Sequence, residues 1–105
     1  MAKTEFILNS ASQKLAYVFE PGQGPCVVFL GGYRSDMSGT KAQYLAEFCR
    51  AQGHAILRFD YSGHGASGGQ FENGSISVWI HDALTVINAT VDGPLILIGS
   101  SMGGW

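Results

Sequence analysis

Charge is scarce in this sequence. Asp, Glu, Lys and Arg make up 13% of its 105 residues, where a globular domain carries about 25%. Little of the chain is therefore suited to open solvent. Six Lys and Arg stand against eight Asp and Glu, a net charge of −2 with no basic cluster, so the electrostatic footprint of a nucleic-acid partner is missing. Long apolar runs are missing too. The longest, Cys26 to Leu30 and Leu95 to Ile98, fall far short of the roughly 20 residues that span a bilayer as a helix. Met1-Ala2-Lys3-Thr4 leads into only three apolar residues before Asn9, too few for a secretory signal. Cysteine occurs twice. Cys26 and Cys49 lack metal or redox spacing, which excludes a disulfide framework and reads as two reduced thiols in a cytoplasmic protein. What the chain has is apolar content of 46%, that of a globular domain and not a disordered tail. It also has 15 glycines, twice the usual share of about 7%, so many backbone positions need unusual φ values or close approaches.

Strand and helix signals alternate along the chain. Thr4 to Asn9 and Gln13 to Phe19 are β-prone runs joined by Ser10-Ala11-Ser12, a hairpin pattern, and Glu20 to Pro25 is a turn cluster that ends it. Cys26-Val27-Val28-Phe29-Leu30 is apolar at every position, the mark of a parallel strand buried on both faces. Thr40 to Gln52 reads as a helix. Thr40 and Gln43 are spaced as a capping box, Gly53 stands as the stop, and Leu45, Phe48, Cys49 and Gln52 share one side. His54 to Phe59 is the next strand and Asp60 to Gly74 a glycine-rich loop. Ser75 to Val91 is a second helix, in which Ile76, Ile80, Leu84 with Ala83, Ile87 and Val91 recur at the 3.6-residue period and predict its buried face. Leu95 to Ile98 is a short apolar strand. A hairpin followed by strand-helix-strand-helix-strand, with no repeat or linker, specifies an α/β sheet with parallel crossovers.

Gly99-Ser100-Ser101-Met102-Gly103 directly follows that last strand and fits G-x-S-x-G, the nucleophile elbow. The spacing has a steric cause: a serine in so sharp a strand-to-helix turn leaves no room for side chains two residues before and after it. Ser101 has Gly99 and Gly103 at those positions, whereas Ser100 has Ile98 and Met102. Ser101 is thus the candidate nucleophile, and the Met102 N–H the first candidate oxyanion donor. The bland alternative is a glycine-rich turn with two ordinary serines. A second oxyanion donor belongs to the loop after the first parallel strand. Gly31-Gly32-Tyr33 occupies that place, with the Tyr33 N–H as candidate, unless the glycines merely make a tight turn. Gly63-His64-Gly65-Ala66-Ser67-Gly68 spells G-x-G-x-x-G, yet no helix opens at those glycines and the next strand ends without a carboxylate, so the dinucleotide reading fails on context. His64 is the one histidine at the carboxyl edge of the expected strands, and reads as a loop histidine bonded to backbone. Asp60 reads as a loop organiser that accepts backbone N–H bonds.

Taken together, Phe59 to Ser67, Gly31-Gly32-Tyr33 and Gly99 to Trp105 resemble an α/β-hydrolase. Gly39 to Ala42, Arg58 to Gly63 and Gly99 to Trp105 resemble one subgroup more closely. It holds a mitochondrial mycophenolic acid acyl-glucuronide esterase, also described as a palmitoyl-protein thioesterase, and bacterial relatives. The resemblance implies a three-layer sheet ordered hairpin, His54 strand, Cys26 strand, Leu95 strand. It also implies hydrolysis of a small acyl ester or thioester through a Ser-Asp-His triad with neither cofactor nor metal. In this fold the acid and base follow the nucleophile, and family members are two to three times as long. Residues 1–105 are therefore expected to be the N-terminal portion of one hydrolase domain, inactive alone, with Leu95 to Ile98 as an exposed apolar edge. The rival reading is a short non-catalytic protein that uses that open edge to bind another chain.

Overall fold

In the computed structural model, residues 3–31, 37–69, 74–91 and 93–99 are described. Seven elements follow in chain order: β1 (Glu5–Leu8), β2 (Lys14–Glu20), β3 (Gln23–Leu30), α1 (Thr40–Gln52), β4 (His54–Phe59), α2 (Ile76–Thr90) and β5 (Leu95–Gly99). The strands form one mixed sheet in the order β1-β2-β4-β3-β5, the order that the resemblance implies. β1 and β2 are the antiparallel hairpin, and β2 also runs antiparallel to β4. β4, β3 and β5 are mutually parallel.

Residue parity sorts the side chains of the sheet onto two faces. Leu15, Cys26, Val28, Ala55, Leu57 and Phe59 point to one, where Trp79 and Val86 of α2 close the core. Val27 and Ile56 point to the other, against Ala46 and Cys49 of α1. Helices on both faces make the three-layer α/β architecture, and explain why β3 and β4 are apolar without alternation. β3 starts three residues earlier than the apolar run suggests. Its register against β4 shifts between Gln23 and Val27, because Pro25 has no N–H for the ladder and the strand bulges around it.

Both helices bury a different face from the one that apolar periodicity predicts. In α1 the buried residues are Ala42, Ala46 and Cys49, with Leu45 half-buried beside them, while Phe48 is exposed. Small side chains let this helix lie close to the sheet. Its capping box does not form either: Gly39 is the N-cap and makes no side-chain cap bond. Gly53 does terminate α1, in the left-handed region at φ 76°, where a Cβ would be strained. In α2 the buried residues are Trp79, Asp82 and Val86, with Ala83, Ile87 and Val91 packed at the margin. Ile76, Ile80 and Leu84 are exposed. Polar anchoring overrides periodicity here, since Asp82 and the indole N–H of Trp79 reach inward to hydrogen bonds that fix the rotation of the helix.

Candidate active site

The carboxyl ends of β3, β4 and β5 lie at one edge of the sheet. Leu30 of β3 is in register with Gly99 of β5, and Phe29 with Arg58 of β4. Neighbouring strands are about 4.8 Å apart, so Gly31, Asp60 and Gly99, at or just past the ends of three adjacent strands, stand side by side along this edge. From β3 the chain crosses to β4 and then returns past β3 to β5. Strand order therefore reverses at β3, and in open parallel sheets the crevice at such a reversal is where ligands bind.

The glycine-rich loop after β4 folds back on β2. Gly63 N–H donates to Gly68 O (2.9 Å), His64 N–H to Tyr61 O (3.0 Å), Ser67 N–H to His64 O (3.0 Å) and Gly68 N–H to Lys14 O (2.6 Å). Ser67 Oγ accepts from Ala16 N–H at 2.8 Å and donates to Asp60 O at 2.7 Å. A phosphate-cradling loop must aim its N–H groups at the ligand. Here those of Gly63, His64, Ala66, Ser67 and Gly68 are consumed inside the protein.

Asp60 is buried and joins two loops. Its Oδ1 accepts from Met37 N–H at 2.7 Å and its Oδ2 from Ala66 N–H at 2.9 Å. Arg58, two residues earlier on β4, donates from Nη1 to Met37 O at 2.8 Å. Burial pushes its guanidinium below the usual range, and the nearby Glu20 carboxylate, 3.8 Å away, opposes that shift. The Tyr61 hydroxyl donates to Gly31 O at 3.4 Å, at the long end for such a bond. Its ring meets Phe59 and His64 edge-on, at 5.1 and 5.6 Å. Burial, then the charge of Asp82, pushes the Tyr61 phenol up to about 12, so it remains a proton donor throughout the physiological range. Beneath it, Asp82 accepts from Ser62 N–H (2.9 Å) and Asn9 Nδ2 (3.1 Å). Ser62 O faces both Trp79 Nε1 and His64 Nδ1, each at 3.1 Å.

Gly31, Gly99 and Asp60 are the sequence-derived site residues within the described structure, and all three lie at this one edge. Ser101, Met102, Gly103, Gly32 and Tyr33 lie outside the described residues. His64 is buried beside Trp79, with ring centroids 5.1 Å apart, while His54 and His81 are exposed and belong to the opposite edge and to the outside of α2. Among the described residues no three metal-ligating side chains cluster, and no helix is long and apolar enough to cross a membrane. Sequence reasoning missed Arg58, Asp82 and Trp79. One signal was available: an aspartate one helical turn after a tryptophan, in a helix otherwise almost free of charge.

Residues 24–105 match the family described as serine aminopeptidase, S33. The human mitochondrial palmitoyl-protein thioesterase ABHD10 is 50% identical over 91 residues, which are 87% of this chain and 30% of that protein. The chain thus spans about a third of the length of the curated relatives it matches. Among solved structures, mouse alpha/beta hydrolase domain-containing protein 10 is 42% identical with a TM-score of 0.94, over 99% of this chain and 42% of that one. A putative hydrolase from Agrobacterium vitis S4 is 44% identical with a TM-score of 0.93, over 100% and 42%. These relatives correct one expectation. A cytoplasmic location conflicts with their being named mitochondrial. The match over residues 24–105, together with a sheet and carboxyl edge of this arrangement, places the chain in the α/β-hydrolases, in the family described as serine aminopeptidase, S33.

Proposed function

We propose that the protein is a serine hydrolase acting on carboxylic esters or thioesters, with Ser101 as its nucleophile. Ser101 Oγ attacks the acyl carbon and passes its proton to a base. The tetrahedral oxyanion is held by the Met102 and Tyr33 N–H groups, and the thiol or alcohol leaves with that proton. Water then hydrolyses the acyl-enzyme by the same route. The acid and base are assigned to sequence after the elbow, the chain order of this fold, so residues 1–105 act as the N-terminal part of the domain and are inactive alone. Gly32 and Gly103 keep the two donor loops free of side chains, and Asp60 organises the edge. No metal or cofactor enters the scheme. Within the class, an acyl thioester on a protein is the favoured substrate, because relatives 42–50% identical are named palmitoyl-protein thioesterases.

The observation that carries this reading is the pairing of Leu30 with Gly99. It sets the start of the G-G-Y loop beside the start of the elbow, as attack on an acyl group with two backbone donors requires. The test is fluorophosphonate labelling of the protein expressed from its own gene, with the modified peptide identified, beside Ser101→Ala. Labelling on Ser101 and its loss in the variant support the reading. A Ser101 peptide that never labels, in a protein whose esterase activity survives Ser101→Ala, sinks it.

A further inference from the structure

We infer that Arg58, Asp60 and Tyr61, at the end of β4, are positioning residues that hold the loop after β3 at both of its ends. The inference rests on the reading of that loop as an oxyanion donor. At the N-terminal end, the Tyr61 hydroxyl bonds to Gly31 O (3.4 Å). At the C-terminal end Met37 is gripped on both sides of its backbone, by Asp60 Oδ1 at its N–H (2.7 Å) and by Arg58 Nη1 at its C=O (2.8 Å). The two Met37 bonds are charge-assisted and buried, the stronger kind, and they come from Arg58 of β4 and from Asp60 just past its end. Met37 itself is 8% exposed and packs on Ala16 and Val18 of β2, so this end of the loop is pinned by side chain and backbone together.

The grip is in turn braced. Asp60 Oδ2 is engaged by Ala66 N–H (2.9 Å). Arg58 faces Glu20, whose carboxylate makes a two-pronged bond to Arg50 at 2.9 and 3.0 Å. All three residues leave the same strand end, so the loop takes its frame from the rigid centre of the sheet. With Gly31 held at one end and Met37 at the other, the backbone between them, which carries the proposed Tyr33 donor, has less freedom than a loop tethered by its chain alone. An oxyanion donor is effective only when it is already aimed before charge develops, and small misplacements in an active site carry large rate penalties. None of the three residues is asked to touch substrate.

The test uses the protein expressed from its own gene, with 4-nitrophenyl butyrate as substrate and a trifluoromethyl ketone as analogue of the tetrahedral intermediate. Asp60→Asn is expected to lower kcat at least tenfold, and Tyr61→Phe about threefold, each with KM within twofold of wild type. Each variant should weaken the trifluoromethyl ketone by the same factor as its kcat. In both, amide hydrogen exchange should rise over residues 31–37 and stay unchanged over α1 and β5. Should Asp60→Asn fail to fold, Tyr61→Phe decides alone, since it keeps the buried ring. Unchanged kcat and exchange in Tyr61→Phe overturn the inference, as does a rise in KM that accounts for the lost activity. If Ser101→Ala is inert while both variants turn over normally, the clamp falls and the hydrolase reading stands. Full turnover in Ser101→Ala removes the hydrolase reading and the positioning role with it.

Discussion

β4 and β5 flank β3 on its two sides, both parallel to it, β5 apolar from Leu95 to Ile98 and β4 apolar but for His54 and Arg58, yet they end in opposite surroundings. From Ala55 onward β4 is buried, with Leu57 at 0% exposure. β5 is exposed along its whole length, and Leu97 stands at 55%. The sequences do not differ enough to explain this; their neighbours do. β4 has strands on both sides and a helix on each face, whereas β5 has, among the described residues, β3 alone beside it in the sheet. An apolar run states what a strand requires, and the surrounding elements decide whether it is met.

The widest gap should open between Leu57→Ala and Leu97→Ala in the 105-residue chain. Leu57→Ala leaves a cavity in the centre of the core and should cost about 2–5 kcal/mol. Leu97→Ala removes a side chain that is half in solvent and should change stability by about 0.5 kcal/mol or less. Urea unfolding of the two variants measures both. Equal losses would break the comparison. In a longer protein whose further chain covers β5, the Leu97 cost should climb toward the Leu57 value, which makes the pair a gauge of how covered β5 is.

The same logic separates what was legible in the sequence from what was not. The two helices and four of the five strands could be read nearly in place from local signals, whereas β3 begins at Gln23, inside what reads as a turn cluster from Glu20 to Pro25. The edge carrying Gly31, Asp60 and Gly99 followed from G-x-S-x-G and its chain order, and strand order came with the family resemblance. Helix rotation could not be read. Ile76, Ile80 and Leu84 form as good an apolar stripe as Trp79, Ala83 and Val86, and the choice was made by Asp82 and Trp79 bonding to Ser62, 20 and 17 residues away. Arg58 was opaque for the same reason: its partner, Met37, is 21 residues distant. Polar contacts at such separations have no period to betray them.

Alkaline titration sharpens the contrast between the two strand ends, since only the end of β4 carries a buried phenol. In the fold Tyr61 ionises at about 12, against about 10 for an unfolded tyrosine. The folded state therefore holds a proton that the unfolded state has released. The sign follows: stability is intact below pH 10 and declines as pH rises toward 12, at up to about 1.4 kcal/mol per pH unit from this group. Urea midpoints at pH 9, 10 and 11 should fall in that order, and Tyr61→Phe should flatten the fall. An equally steep decline in the variant would place the titration elsewhere.

The smallest expected effect compares two helix starts in which local pattern and surroundings again disagree. Thr40 and Gln43 have capping-box spacing, but Gly39 is the N-cap of α1 and no side chain caps it. Ser75 lacks that spacing, since Val78 stands three residues on, yet its Oγ accepts the Val78 N–H at 3.3 Å. Ser75→Ala should therefore cost ~1 kcal/mol, a shift of roughly 4–8 °C in Tm for a domain of this size. Thr40→Ala should leave stability unchanged or raise it by a few tenths of a kcal/mol (~0.3), because alanine is the better helix former and no cap bond is lost. Thermal melts of the two variants decide it. A Thr40→Ala loss as large as that of Ser75→Ala would mean that the threonine hydroxyl does cap α1 in solution, and that spacing, not surroundings, governs this helix end.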